Sequence, residues 1–279
     1  MSNRGVGHID SLAALGRLDD ADIDLAEGAL LLAGLDRPEG DLSPFRDHLA
    51  ELVRNVKASL PSEITRDVSR QARALADTVS GKYNYQGDTL TYDDPQNANL
   101  IRVIERRKGL PVTLAILYIH VARAQGWSAT GINFPGHFLI RLEGNGGRVI
   151  LDPFNGGVQR DVADLRGLLK QMTGIESELE PGHYAPIGNR QTLIRLLNNI
   201  KLRAIAAKEG DRVAEILDRM LMVAPDDLSL LREAGQCHAE IGNMRRAIEA
   251  LEAVVARSAA GPLRRETEAL LRQVRSRLN

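Results

Sequence analysis

The stretch PVTLAILYIHVARAQG, residues 111–126, limits the fold more than any other. Pro111 suits the first position of a helix, and Gly126 suits the position just past its end. Between them the residues are apolar nearly all round, with no polar stripe to face water. Such a helix is stable only where other elements enclose it, so it is expected at the centre of a domain. The apolar run falls far short of a membrane span.

The material to enclose it lies on both sides. DDADIDLAEGALLLAGLD (19–36) reads as a helix, capped by Asp19 or Asp20. A second helix covers 41–60, with Ser43 as cap, Pro44 in the first turn, and Leu49, Leu52, Val53, Val56 and Leu60 at helical spacing. A third covers 61–80, with Ile64, Val68, Ala72, Leu75 and Val79 on one face. Residues 81–95 break the helical pattern and hold a short extended piece. A helix over about 96–107 ends at Gly109 and Pro111, and its basic tail, IRVIERRKG, reads as a solvated helix end.

After Gly126 the period changes. GINFPGHFLIRLEGNGGRVILDPFNGG (131–157) holds two apolar runs around EGNGG. With Glu143–Gly146 as the loop, paired positions sum to 289. His137 then stands opposite Asp152, Leu139 opposite Ile150, and Arg141 opposite Arg148. Directly opposed residues share a face, so imidazole and carboxylate come within reach. Phe138, Ile140, Val149 and Leu151 make the other, buried face. A slip of one residue would part the pair. A carboxylate beside a histidine sets the ring's tautomer and raises its basicity, as a general base requires. The other reading of the same residues is structural: Asp152 caps the DPFNGG turn and His137 is a hydrogen-bonded core residue.

The 279 residues carry a net charge of −1, which gives no basic field for nucleic acid or an acidic membrane. Cys237 is the one cysteine, so no disulfide forms within the chain. The six histidines show no metal-ligand spacing, EGNGG and FNGG are turns rather than phosphate loops, and no cofactor or metal is expected. With no apolar leader after Met1, the expected location is cytoplasmic.

From about residue 189 the pattern is helical throughout. In LSLLREAGQCHAEIGNMRRAIEALEAVVARS (228–258), Leu231, Gly235, His238, Gly242, Ala247, Leu251 and Val254 follow the small-and-large pattern of a tetratricopeptide repeat. A shift of 34 residues finds a degenerate copy over about 194–225, with Lys201 in the slot of Gly235, and a final helix starts at Pro262. The expected division is 1–188 and 189–279.

RVIERRKGLPVTLAILYIHVARAQGW, GINFPGHFLIRL and ILDPFNGG together resemble the transglutaminase-like family named after the SirB protein, a bacterial group whose sequence also occurs in a eukaryotic F-box protein. The resemblance covers about residues 40–175, and the helical repeats match that family's usual C-terminal companion. It implies an α+β, mainly helical chain: a papain-like core, with a buried helix on a small antiparallel sheet, followed by tetratricopeptide-like hairpins. In active members of the wider superfamily a cysteine starts the helix, and a histidine and an aspartate follow on successive strands. Carried over, these are His137 and Asp152, while the cysteine slot falls at Thr113, or at Pro111 or Val112 beside it. None is cysteine. A threonine hydroxyl is far less acidic than a thiol and needs a base to take its proton during attack. The resemblance therefore implies a non-catalytic scaffold that binds a protein or peptide. The alternative is a hydrolase or acyltransferase using Thr113.

Overall fold

The chain opens on α1 (Asn3–Leu15), a helix that the weak patterning of residues 1–18 does not announce. Asp20–Asp22 then form a single 3-10 turn. The cap of α2 (Leu25–Gly34) is neither Asp19 nor Asp20 but Asp24, whose Oδ1 accepts from Ala26 N at 2.9 Å and Glu27 N at 3.0 Å. A carboxylate just before the apolar run satisfies the free N–H groups of the first turn, so the helix starts there. α3 (Ser43–Ser59) follows, with Leu49, Leu52 and Val56 buried. This computed structural model describes residues 3–60, 67–144 and 147–277, so the first part of the helix expected over 61–80, including Ile64, lies outside the described residues. Asp67 caps α4 (Val68–Ala76), which continues as a π-helical turn over Asp77–Lys82.

β1 (Gln86–Gly87) pairs in parallel with β2 (Lys108–Gly109) across α5 (Leu100–Arg106). α5 ends at Arg107, in the left-handed region at φ 62°, before Gly109 is reached. What holds a non-glycine residue there is its side chain. The Arg107 guanidinium lies 4.7 Å over the Tyr85 ring and donates to Tyr85 Oη and, at 2.6 Å, to His48 Nε2. Arg106 donates to Asn97 Oδ1 at 3.0 Å and to the buried Asp88 Oδ2 at 3.1 Å. In IRVIERRKG, Arg106 and Arg107 are thus half-buried and paired, while Glu105 and Lys108 remain exposed.

α6 (Pro111–Ala124) is the enclosed helix: every residue from Pro111 to Ile119, with Val121 and Ala122, is buried. α2, α3 and α5 pack against it, and so do two strands, β3 (Ser128–Ile132) and β4 (Leu139–Gly144). β5 (Gly147–Asp152), β6 (Val158–Arg160) and β7 (Pro186–Ile187) complete an antiparallel sheet of order β6-β5-β4-β3-β7. Its other face carries Ile132, Leu139 and Ile150, which join Leu165 and Leu169 of α7 (Val162–Thr173) in one apolar cluster. Each buried Leu or Ile contributes about 1.5–3 kcal/mol, so α6 and this cluster dominate the stability of the unit.

The hairpin register differs from expectation. Ile140 pairs with Leu151, Arg141 with Ile150, Leu142 with Val149 and Gly144 with Gly147, so positions sum to 291 and not 289. Glu143 and Gly144 belong to β4, and Asn145 and Gly146 lie outside the described residues. A shift of two preserves every face, because side chains alternate with period two.

Residues 1–12 with 18–196 form one compact unit, and residues 13–17 with 197–279 a second. α8 (Asn189–Ala206) leads from the first into the second, which continues with α9 (Gly210–Val223), α10 (Leu228–Glu240), α11 (Met244–Arg257) and α12 (Pro262–Ser276). Gly235 lets α10 close on α11: a Cβ there would stand 2.7 Å from Leu251 Cγ. Lys201, in the equivalent slot of the degenerate copy, is buried and donates to Glu233 Oε1 at 2.6 Å and Oε2 at 2.8 Å. Charge pairing there replaces close packing.

Candidate active site

His137 precedes β4, at the end of a turn in which its N–H donates to Phe134 O at 2.9 Å. It is no longer directly opposite Asp152, yet its ring reaches it: Nε2 donates to Asp152 Oδ1 at 2.9 Å, with both side chains buried. The carboxylate can only accept, so Nε2 carries the hydrogen; whenever the ring is neutral its lone pair is on Nδ1. Among the described residues Nδ1 has no hydrogen-bond partner.

Asp152 is heavily served. Asn155 N donates to Oδ1 at 3.3 Å, and Oδ2 accepts from Asn155 Nδ2 at 2.8 Å and from Arg160 Nε and Nη2 at 3.2 and 2.9 Å. Burial alone pushes this carboxyl up. The His137 hydrogen bond and charge, with Asn155 and Arg160, outweigh it and hold the group at about 2. Arg160 is in place because β6 pairs beside β5, with Ile150 opposite Arg160 and Asp152 opposite Val158.

Thr113 is the third residue of α6 and fully buried. Its hydroxyl donates to Asn97 O at 2.9 Å, a carbonyl that also accepts from Leu110 N at 3.0 Å. No hydrogen bond joins Thr113 to His137 among the described residues. Pro111 and Val112 are buried as well. Thus the structure brings His137 and Asp152 together, while the hydroxyl at 113 is committed to the loop before the helix. That loop is itself fixed: Asn97 Nδ2 donates to Thr91 O at 2.6 Å, and Asp88 accepts from Thr91 N and Oγ1 at 2.9 and 2.7 Å. These bonds, the Thr91 hydroxyl's first, hold the Asp88 carboxyl well below the usual carboxylate range.

Phe154 stands edge-on to His137, ring centres 5.9 Å apart, and edge-on to Tyr92 at 5.8 Å. Tyr92 is partly exposed, and Leu90 in the same loop is 86% exposed, so an apolar, solvent-facing rim lies on the loop whose Tyr92 reaches Phe154. Gly157 closes the far side. At φ +76° it sits where a Cβ would stand 2.7 Å from Tyr118 Oη, and that buried hydroxyl has no partner. Cys237 lies buried on α10 in the second unit, its thiol pushed up by burial and by nearby carboxylates, Glu240 first. Among the described residues no three His, Cys, Asp or Glu side chains converge as metal ligands.

Asn97, Asn155 and Arg160 complete the site; Asn155 stands inside the DPFNGG motif, while no motif holds Asn97 or Arg160. Arg160 is set beside Asp152 by the pairing of β6 with β5.

A buried helix under an antiparallel sheet, with His137 and Asp152 meeting at one end of the hairpin, defines a transglutaminase-like domain. The chain belongs to the transglutaminase-like superfamily, which matches residues 43–198, and a tetratricopeptide repeat matches residues 200–277. More narrowly, it is 32% identical over 244 residues to a UPF0162 protein of Xylella fastidiosa, covering 85% of each chain. A UPF0162 protein of Vibrio cholerae is 31% identical over 231 residues, 79% of this chain and 84% of that one. F-box only protein 21 of Mus musculus is 25% identical over 251 residues, 77% of this chain and 38% of its own length. The fold class read from the sequence, mainly helical α+β with tetratricopeptide-like helices, is the observed one.

Proposed function

We propose that the chain is a non-catalytic, SirB-type transglutaminase-like protein of the cytoplasm that binds a protein or peptide partner. In this reading the residues over 1–188 present the rim around His137, the repeats over 189–279 add a second recognition surface, and no cofactor takes part. The supporting observation is the hydrogen bond from Thr113 Oγ1 to Asn97 O. The side chain in the cysteine slot is directed at a backbone carbonyl, so His137 Nδ1 has no nucleophile to activate. The superfamily match and the repeats support an interaction module, since stacked helical repeats form extended recognition surfaces.

The second reading is a hydrolase or acyltransferase with Thr113 as nucleophile. It is favoured by the aligned His137–Asp152 pair with Nδ1 unpartnered. One experiment separates the two. Purified wild type, Thr113→Ala and His137→Ala are assayed on amide and ester substrates, and the same proteins are used for affinity capture. The interaction reading expects no turnover that Thr113→Ala removes, and a specific partner weakened by His137→Ala. A burst of acyl-enzyme abolished by Thr113→Ala, with the fold intact, overturns it.

A further inference from the structure

The structure carries a second built cavity, on the face of the sheet that α7 covers. It has a volume of about 500 Å³, within the range of small-ligand sites. Ile150 and Leu165 give it an apolar floor, and the Tyr184 ring stands at one side with the Arg148 guanidinium 5.8 Å from its centre. Arg148, Arg160 and Arg166 all line it. Arg148 and Arg166 have no carboxylate partner among the described residues.

Two carboxylates also face the cavity, and both are already engaged. Asp161 Oδ1 accepts from Asp164 N at 2.8 Å, and Asp164 Oδ2 accepts from Asp161 N at 3.0 Å. Both carboxylates are turned to the first-turn N–H groups of α7 and keep their charge. The three guanidinium groups on the lining outnumber the two carboxylates by one. Arg160 is the shared one. Its Nε and Nη2 serve Asp152, and among the described residues no hydrogen bond is formed by Nη1.

We propose that this cavity binds a small organic anion with an apolar body, and that Arg160 couples its occupancy to the His137–Asp152 pair. The head group, carboxylate or phosphate, meets Arg148 and Arg166 in the charge-assisted, forked geometry that guanidinium groups favour. The body lies on Ile150, Leu165 and the Tyr184 ring. An anion beside Arg160 offsets the positive field that Arg160 exerts on Asp152, so filling the cavity alters the hydrogen bond that orients His137. By linkage, whatever engages His137 changes affinity for the anion by the same factor.

The test uses the full chain, isotopically labelled, titrated with benzoate, phenyl phosphate and the neutral analogue benzyl alcohol and followed by NMR. Expected are saturable shifts at residues of β5, β6 and α7 with at least one of the two anions and none with the alcohol. The tighter anion identifies the head group. Arg148→Gln and Arg166→Gln, exposed positions outside the fold's core, each weaken binding by about tenfold, the loss expected for a hydrogen bond to a charged group. At saturation the His137 ring resonances move in the wild type and stay still in Arg160→Gln. Unchanged affinity in both arginine variants, equal binding of benzyl alcohol, or shifts confined to other parts of the chain overturns the site. Binding with an unmoved His137 ring overturns the coupling.

Discussion

Asp152→Asn keeps the shape of the side chain and removes its charge, which makes it a direct probe of the hydrogen-bonded centre. The wild-type carboxyl is held at about 2, against an ordinary value of 3.8. A shift of that size, at about 1.4 kcal/mol per unit, corresponds to about 2.5 kcal/mol of stability from a fully buried group. Because the folded value lies below the unfolded one, the contribution is complete above about pH 4. It fades as pH falls through about 2, and about half is gone at pH 3. Asp152→Asn is therefore expected to destabilise the first unit by about 2.5 kcal/mol at pH 7 and by about half that at pH 3. Trp127, the chain's one tryptophan, is buried beside β3 and reports on this unit alone. Urea unfolding followed by its fluorescence at pH 7, 5 and 3 gives the comparison. A cost below about 0.5 kcal/mol at pH 7, or one that does not change between pH 7 and 3, would refute the account of Asp152 as a paired carboxylate.

Other substitutions test neighbouring parts of the fold. Thr113→Val removes the bond to Asn97 O while keeping the volume, and thermal unfolding should register a loss of about 1 kcal/mol. Arg106→Met removes the guanidinium paired with the buried Asp88 carboxylate, which keeps its Thr91 bonds and the nearby Lys108 charge, so a loss of about 1–3 kcal/mol is expected by urea unfolding; a loss under about 0.5 kcal/mol would make the pair dispensable. Gly235→Ala places a methyl group 2.7 Å from Leu251 Cγ. It should cost about 1–3 kcal/mol, seen as faster amide exchange in α10 and α11 with β3–β5 unaffected.

The parts of the fold legible in the sequence are those written as local periodicity or as spacing. α6 announced itself because it has no polar face, and α10 with α11 because Gly235, Ala247 and Leu251 keep the repeat pattern. The meeting of His137 and Asp152 survived an error of two residues in register because alternation protects the face even when the loop length is misjudged. Other features depend on tertiary partners and leave no local mark. Arg106 and Arg107 look like a solvated helix end until Asp88, Asn97, Tyr85 and His48 are placed around them. α7 and β6 are too weakly patterned to stand out, so Arg160 went unnoticed. Asn97 meets Thr113 through its backbone carbonyl, which any residue possesses, and its amide's partners Thr91 and Arg106 come together only in the fold.

The carbonyl of Asn97, shared by Thr113 and Leu110, also constrains the evolutionary paths open to this chain. Thr113→Cys would supply a thiol in one substitution. A thiol is a weak donor, however, and it would start from a backbone that directs the side chain at the loop over residues 88–97. Useful chemistry would require that loop to be rebuilt as well, and the first change alone sacrifices a buried hydrogen bond. That substitution alone is therefore expected to lower stability, so a single change at this position does not readily install a working nucleophile.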